Sequence, residues 1–168
     1  MNNNLARAAL FGIAAGFVAN VVMDIFVALV LPLMGSPAAF MFEFIGTVAL
    51  RLFAGAGASG AGAFPLGLLI HYLFGMGFGG LFCAILVWAP RLEPATLGKT
   101  ILLGVAYIEI FSQPFVASAP LILRTAASDT ILWYALSTVM HGIYGAVLGA
   151  LVHYRRPILA RLPSRAAA

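Results

Sequence analysis

Four ionisable side chains stand inside segments that are otherwise almost entirely apolar. They are Asp24, His71, Glu109 and His141, and each belongs to a different apolar segment. A charged carboxylate in the middle of a membrane-spanning helix costs about 2.5–3.5 kcal/mol or more. Because such groups are kept mainly where they have a function, we interpret the four residues as one intramembrane polar site.

Two imidazoles and two carboxylates suit several kinds of chemistry. His71, His141, Asp24 and Glu109 would form a ligand set for a transition metal such as zinc, iron or manganese. The two histidines alone would suit a haem b held between two imidazoles. The same groups would suit a proton relay or an ion path, because an imidazole gains and loses a proton near neutral pH. The remaining interpretation is structural, with the polar groups hydrogen-bonding neighbouring helices.

Local motifs do not decide between these interpretations. No G-x-S-x-G, H-E-x-x-H or P-loop motif occurs, so hydrolase and P-loop nucleotide chemistry have little support. Neither E-x-x-H nor C-x-x-C-H accompanies the histidines. Cys83 is the sole cysteine, which excludes a disulfide framework and a C-x-x-C site. Whether the protein is an enzyme therefore stays open.

Each ionisable residue lies on a stripe of small or polar residues spaced four apart. This spacing keeps a stripe on one helix face, and small residues let helices approach closely. We therefore expect the four stripes to converge inside one bundle and the four ionisable groups to form one cluster. The supporting residues of this predicted site are Asn20, Ser112, Gln113, Ser137, Gly75 and Gly145.

Two segments of the chain share a short pattern. The pattern H-x-x-[F/Y]-G-x-x-x-G begins at His71 and again at His141. Each copy follows a segment that carries one acid, Asp24 in the first case and Glu109 in the second. The order acid helix then histidine helix, twice in the same orientation, predicts a parallel repeat of two helical hairpins.

The amino-acid composition indicates whether the chain is surrounded by water or by lipid. Of 168 residues, 63% are hydrophobic and only 8% are charged, with a mean hydropathy of +1.07. Soluble domains have roughly 25% charged residues. The net charge is +4, but the basic residues stand at the ends of apolar segments, which favours contact with anionic lipid over nucleic acid. The expected partner is the lipid bilayer.

The apolar runs predict an all-α integral membrane fold, a four-helix bundle forming one domain over 1–168. A span needs roughly 20 apolar residues, and Pro114 is expected to kink the third span. The predicted spans are 8–31, 64–88, 100–119 and 130–153.

Two further segments separate the first and second spans, and a tail follows the fourth. Segment 37–53 begins after Ser36 and is expected to be an amphipathic helix on the membrane surface, with a re-entrant segment as the alternative. Segment 54–63 is expected to be a flexible linker of Gly and Ala. Residues 154–168 form a basic tail.

The distribution of cations predicts the orientation. Cytoplasmic loops carry an excess of Lys and Arg, and only Arg51 and Arg124 fall on the opposite side of the predicted spans. Both termini and the middle loop are therefore expected in the cytoplasm. The seven cations on that side are Arg7, Arg91, Lys99, Arg155, Arg156, Arg161 and Arg165.

Three segments resemble small bacterial inner-membrane proteins of the YagU type and related domains of unknown function. The resemblance rests on the segment from His71 to Pro90, on E-I-F-S-Q-P-F from Glu109, and on His141-Gly with the terminal Arg-Arg pair. It covers roughly residues 64–156. It implies a multi-pass protein of the bacterial inner membrane linked to acid resistance. The first loop differs from that family, and Glu109 stands where a His-like residue is expected.

These observations lead to one functional expectation and one alternative. The expected function is proton- or ion-linked transport, or a metal- or haem-binding redox subunit, at the Asp/His/Glu/His site. The alternative is a non-catalytic subunit of a larger membrane complex. The Gly-rich helix faces permit a homo-oligomer or a place in such a complex without requiring either.

Overall fold

A computed structural model describes residues 3–55, 60, 62–92 and 94–161, and every regular element in these ranges is a helix. Four of the helices are long and apolar enough to cross a membrane, so the predicted all-α four-helix membrane fold is confirmed. Parts of the predicted linker (56–59 and 61) and of the basic tail (162–168) lie outside the described residues. The helices are α1 (Asn3–Leu33), α2 (Phe40–Ala54), α3 (Ala63–Trp88), α4 (Leu97–Leu123) and α5 (Ala127–Arg161), with a short 3-10 turn at Pro90–Leu92.

Helix α4 is longer than its apolar run predicts. Thr96 caps its first turn by accepting a hydrogen bond from the Lys99 backbone N–H at 3.4 Å. The helix continues through Pro114 and Pro120, as membrane helices do where neighbours satisfy the freed backbone groups. It ends at Arg124, which has a left-handed φ of 55°. The segment between the third and fourth predicted spans, 120–129, is thereby reduced to a connection of three residues, 124–126.

Helix α2 is packed into the bundle as well as being amphipathic. It begins at Phe40, three residues after the predicted start at position 37, and no side chain caps its first turn. It contacts the first turns of α3 so closely that a Cβ on Gly46 would collide with the Ala63 carbonyl. Its Phe44 ring stacks on Trp133 of α5, with ring centroids 4.2 Å apart.

Arg51 belongs to the predicted amphipathic segment 37–53, but its side chain bonds to another helix. Its guanidinium donates to the backbone carbonyls of Ile122 and Leu123, at 3.4 and 3.2 Å. These carbonyls belong to the last turn of α4, where they have no partner within the helix and where a cation is favoured. Arg51 therefore joins α2 to the end of α4.

The two hairpins, α1 with α3 and α4 with α5, pack through equivalent positions. In the first, a Cβ on Gly16 would meet the Gly75 carbonyl. In the second, a Cβ on Gly104 would meet the Gly145 carbonyl. The shared pattern after His71 and His141 thus supplies, in both hairpins, the glycines against which the preceding helix packs.

The four long helices form an open arc in the order α3, α1, α5, α4. Extensive packing joins α3 to α1, α1 to α5 and α5 to α4. The backbones of α3 and α4 lie further apart, and these helices meet through side chains, such as the Tyr107 hydroxyl that donates to the Phe78 carbonyl. Helix α2 lies against the resulting gap at one end of the bundle, here named the α2 end. The opposite end, where α1 begins and α5 ends, is filled by Phe82, Cys83, Leu86 and Leu148, each at most 2% exposed.

Candidate functional site

A cavity of about 490 Å³ lies between the two hairpins, toward the α2 end. All five helices contribute to its wall, which is mainly aliphatic and aromatic. A few polar side chains interrupt this wall, an arrangement typical of small-molecule sites. The polar side chains of the cavity wall are Asn20, His71, Ser112, Ser118, Ser137, His141 and Tyr144.

His71 on α3 forms an ion pair with Asp24 on α1. The Nε2 atom lies 2.9 Å from Oδ1 of Asp24, and the two side chains are only 13% and 18% exposed. Nε2 is buried and has no partner that meets the geometry of a hydrogen bond. Asn20, one turn before Asp24, donates to the His71 backbone carbonyl at 3.1 Å and so fixes α1 against α3 at this level. The Phe42 ring of α2 contacts the imidazole edge-on at 5.3 Å.

His141 on α5 pairs with Ser112 on α4. The hydroxyl Oγ and the ring Nδ1 are 3.0 Å apart, and Ser112 is 4% exposed. The hydroxyl also lies 3.5 Å from the backbone carbonyl of Glu109, a long contact. His141 and His71 line the same cavity.

The two histidine pairs occupy equivalent places in the two hairpins. Gly16 and Gly104 contact equivalent glycines, and two helical turns further along α1 and α4 stand Asp24 and Ser112. Ser112 is therefore the counterpart of Asp24. In the predicted repeat of acid helix then histidine helix, Glu109 is the acid of the second hairpin, but the residue in the register of Asp24 is Ser112. The spacing from the packed glycines would have identified Ser112.

Glu109 lies apart from the cavity. It is half-buried, and its Oε2 accepts a hydrogen bond from Gln113 at 3.5 Å, itself an exposed residue. Its other oxygen, Oε1, is buried without a hydrogen-bond partner. Neither Glu109 nor Gln113 is among the residues that line the cavity.

The four ionisable residues thus do not form the single cluster expected. Asp24 and His71 are in contact, His141 faces the same cavity as His71, and Glu109 is separate. Among the residues that the structure describes, no three His, Cys, Asp or Glu side chains lie close enough to hold a metal ion together. The metal site of His71, His141, Asp24 and Glu109 is therefore not assembled in this conformation.

The other supporting residues fall into two groups. Ser137 is 3% exposed and lines the cavity one turn before His141. Gly75 and Gly145 have no side chain to offer and act through close helix packing. Two wall residues were missed by sequence reasoning, Tyr144 and Trp133, because an aromatic residue in an apolar helix looks like ordinary packing.

Two hydrogen bonds of these missed residues brace the cavity wall. The Tyr144 hydroxyl donates to the Gly75 carbonyl at 2.5 Å, joining α5 to α3. The Trp133 indole N–H donates to the Val116 carbonyl at 2.9 Å, joining α5 to α4. Both donors are buried groups whose bonds must form inside the bundle.

Comparisons with known proteins do not identify the chain. It matches no protein-family model, and no curated protein or solved structure is significantly similar to it.

The two imidazoles have chemically different partners. A carboxylate balances a positive charge and can accept a proton, whereas a hydroxyl donates or accepts a hydrogen bond without carrying charge. Asp24 can therefore compensate a charge on His71, while Ser112 supplies only a hydrogen bond to His141. A pair of this kind suits proton exchange with a bound molecule.

Proposed function

We propose that this protein is a proton-linked transporter of the bacterial inner membrane, with both termini in the cytoplasm. The cavity between the hairpins is its ligand site, and His71 and His141 are the groups that exchange protons there. The observation that carries the proposal is that these two histidines, from equivalent positions of two hairpins, line one intramembrane cavity.

The shape of the bundle favours a transporter over an open channel. The cavity lies toward the α2 end, and the opposite end is closed by residues that are at most 2% exposed, such as Phe82 and Leu148. A continuous pore would need a polar path through that end. A site at the interface of two repeats, accessible from one part of the membrane at a time, is typical of alternating access.

The proposal differs from a purely structural role in what it requires of the histidines. Residues that only hold helices together are enclosed by their neighbours and have no need of a cavity. His71 and His141 contact partners on adjacent helices and also face a cavity large enough for a small molecule.

Proton flux into liposomes tests the proposal. The purified protein is reconstituted in liposomes made from bacterial inner-membrane lipid extract, which supplies membrane-dissolved molecules as ligands, with a pH-sensitive dye inside. A membrane potential is then imposed to drive protons inward. We expect His71→Gln and His141→Gln each to reduce the flux by roughly 100-fold, the lower range for removing a proton-transfer group, or to the leak of protein-free liposomes.

His153→Gln is the matched control for this experiment. His153 lies on α5 beyond His141, near the Thr100 hydroxyl at 3.5 Å, and does not line the cavity. Its variant should retain wild-type flux. Equal flux in all three variants and the wild type would contradict a role of the cavity histidines in proton movement.

A further inference from the structure

The mouth of the cavity faces sideways, toward the bilayer. Of the residues that line the cavity, four are exposed, and all four are large apolar side chains: Leu52, Phe53, Phe74 and Phe115. They belong to α2, α3 and α4, and none belongs to α1 or α5. The cavity therefore opens on the side of the bundle where the backbones of α3 and α4 are furthest from close packing.

The two hairpins meet along two helix–helix interfaces, here called seams: that of α1 with α5 and that of α3 with α4. Different contacts close the two seams. At the seam of α1 and α5, the buried Tyr144 reaches across and donates to the Gly75 carbonyl. Phe74 is the residue of α3 that corresponds to Tyr144 in the shared pattern, and it has no hydroxyl to donate. It meets Phe115 of α4 by an edge-on ring contact, with centroids 4.7 Å apart. At this level the seam of α3 and α4 is thus closed by apolar rings. A hydrogen bond across this seam lies one turn further along α3, where the Tyr107 hydroxyl of α4 donates to the Phe78 carbonyl at 3.0 Å. The two rings can therefore move apart while that bond keeps the two helices together.

The wall of the cavity indicates the charge of its ligand. Among the residues that the structure describes, no Asp, Glu, Lys or Arg side chain lines the cavity. A permanently charged ligand would lose its hydration without gaining a partner of opposite charge. The hydrogen-bonding groups around His71 and His141, next to an apolar wall, match a molecule with an uncharged polar head and an apolar body.

We propose that the ligand is an uncharged, membrane-dissolved amphiphile that enters from the bilayer by parting Phe74 and Phe115, and that its head binds beside His71 and His141. This inference deepens the proposed function by naming the class of transported molecule and its route. An aqueous solute would have to pass the apolar mouth, at a cost that an amphiphile already in the membrane does not incur.

Quenching of Trp133 fluorescence tests the proposal directly. The chain has two tryptophans: Trp133 lines the cavity, and Trp88 lies 86% exposed at the end of α3. In the Trp88→Phe protein reconstituted in liposomes, emission reports on the cavity wall. Decyl-benzoquinone is the probe, because it has an uncharged head, an alkyl tail and a ring that quenches tryptophan. We expect quenching that saturates, and no saturable quenching by a sulfonated, tail-free benzoquinone.

Two pairs of variants separate cavity binding from random collision in the membrane. Ala119→Phe fills the cavity and should abolish the saturable component, whereas Ala106→Phe, on the exposed face of the same helix, should retain it. Phe74→Ala with Phe115→Ala should raise the rate of saturable quenching several-fold, while Leu102→Ala, which is 68% exposed, should leave it unchanged. Each variant must keep the wild-type emission maximum of Trp133, which shows that the site has folded.

The outcomes separate this inference from the proposed function. Quenching that is linear in probe and equal in every variant would overturn the amphiphile site, and a rate unchanged by opening the seam would overturn lateral entry. Saturable, seam-dependent quenching together with proton flux that is indifferent to both histidines would refute proton linkage while leaving the ligand site intact. Histidine-dependent proton flux without saturable quenching would refute the amphiphile site while leaving proton linkage intact.

Discussion

The partner of each histidine determines what that histidine can do. Asp24 lies 2.9 Å from His71 and offers a charge, while Ser112 lies 3.0 Å from His141 and offers only a hydroxyl. These partners occupy equivalent positions on α1 and α4. The two halves of the site therefore have the same layout but differ chemically, so the two proton-exchanging histidines of the proposed site have different surroundings.

The ion pair predicts that Asp24 and His71 act as one unit. We expect Asp24→Asn and His71→Gln each to impair proton flux, and the double variant to be no worse than the more severe single one. Residues in direct contact couple by about 0.5–3 kcal/mol. The measurement is a double-mutant cycle on proton flux in liposomes.

The control for the cycle is Asp24→Asn combined with His153→Gln. His153 lies beside Thr100, toward the opposite end of the bundle, and changes at distant sites add within about 0.3–0.5 kcal/mol. Additivity of Asp24→Asn with His71→Gln as well would show that the contact has no functional consequence.

Sequence reasoning found the histidines of the site but misassigned one of their partners. Asp24, His71 and His141 stand out because a charged or titratable group is rare in an apolar helix. The same criterion selected Glu109, which lies outside the cavity wall, and gave Ser112 only a supporting role. A serine in a membrane helix is too common to be distinguished by type. Its role follows from its register relative to the packed glycines.

At the scale of helices, glycines determine how closely the hairpins pack. Gly75 lies against Asn20, the residue that holds the His71 backbone. Gly77, two residues further on the same helix, has no atom within 4 Å of the place where a Cβ would be. The two glycines therefore have different roles although both belong to one Gly-rich segment.

This difference predicts opposite effects of one substitution on the free energy of unfolding. Gly75→Ala should destabilise the protein by roughly 1–3 kcal/mol, as overpacking does, because the new methyl group would collide with the Asn20 amide. Gly77→Ala should be neutral or stabilising by about 0.5–1 kcal/mol, since alanine favours the helix. Thermal unfolding in detergent measures both, and equal effects would be evidence against the close packing of α1 on α3.

Hydropathy predicted the four long helices because length and apolar composition are local properties. The extent of α4 and the position of α2 were harder to predict from the sequence. Pro120 follows the predicted end of the third span and Pro114 was expected to kink that span, but the helix continues through both prolines. Helix α2 is amphipathic, so it resembles a surface helix, whereas its contacts with α3 and Trp133 depend on tertiary packing that the pattern alone does not specify.

At the scale of the whole molecule, the end opposite α2 is closed by buried side chains, and the seam of α3 and α4 has few backbone contacts. The repeat would make the seam of α3 and α4 as tight as that of α1 and α5 if it were perfectly symmetric. The departure from symmetry coincides with α2, which has no counterpart between α4 and α5. The cavity lies where the two hairpins differ. Its position therefore follows from the insertion of α2 between the two helices of the first hairpin.

The cation distribution predicts how this asymmetric molecule lies in the membrane. A fluorescent protein fused to the C-terminus should fluoresce, and alkaline phosphatase fused there should be inactive, because both termini are expected in the cytoplasm. Fusions after residue 55, in the linker beyond α2, should show the reverse pattern. An active phosphatase at the C-terminus would invert the orientation and place the α2 end of the cavity in the cytoplasm.

The central claim is that His71 and His141 face one cavity, and chemical crosslinking tests it most directly. In a Cys83→Ala background, which removes the sole native cysteine, the double variant His71→Cys with His141→Cys is treated with a short bifunctional thiol reagent. The account predicts an intramolecular crosslink between positions 71 and 141, identified by mass spectrometry, and none in His71→Cys with His153→Cys. Absence of the first crosslink, or equal yields from both pairs, would contradict a shared cavity.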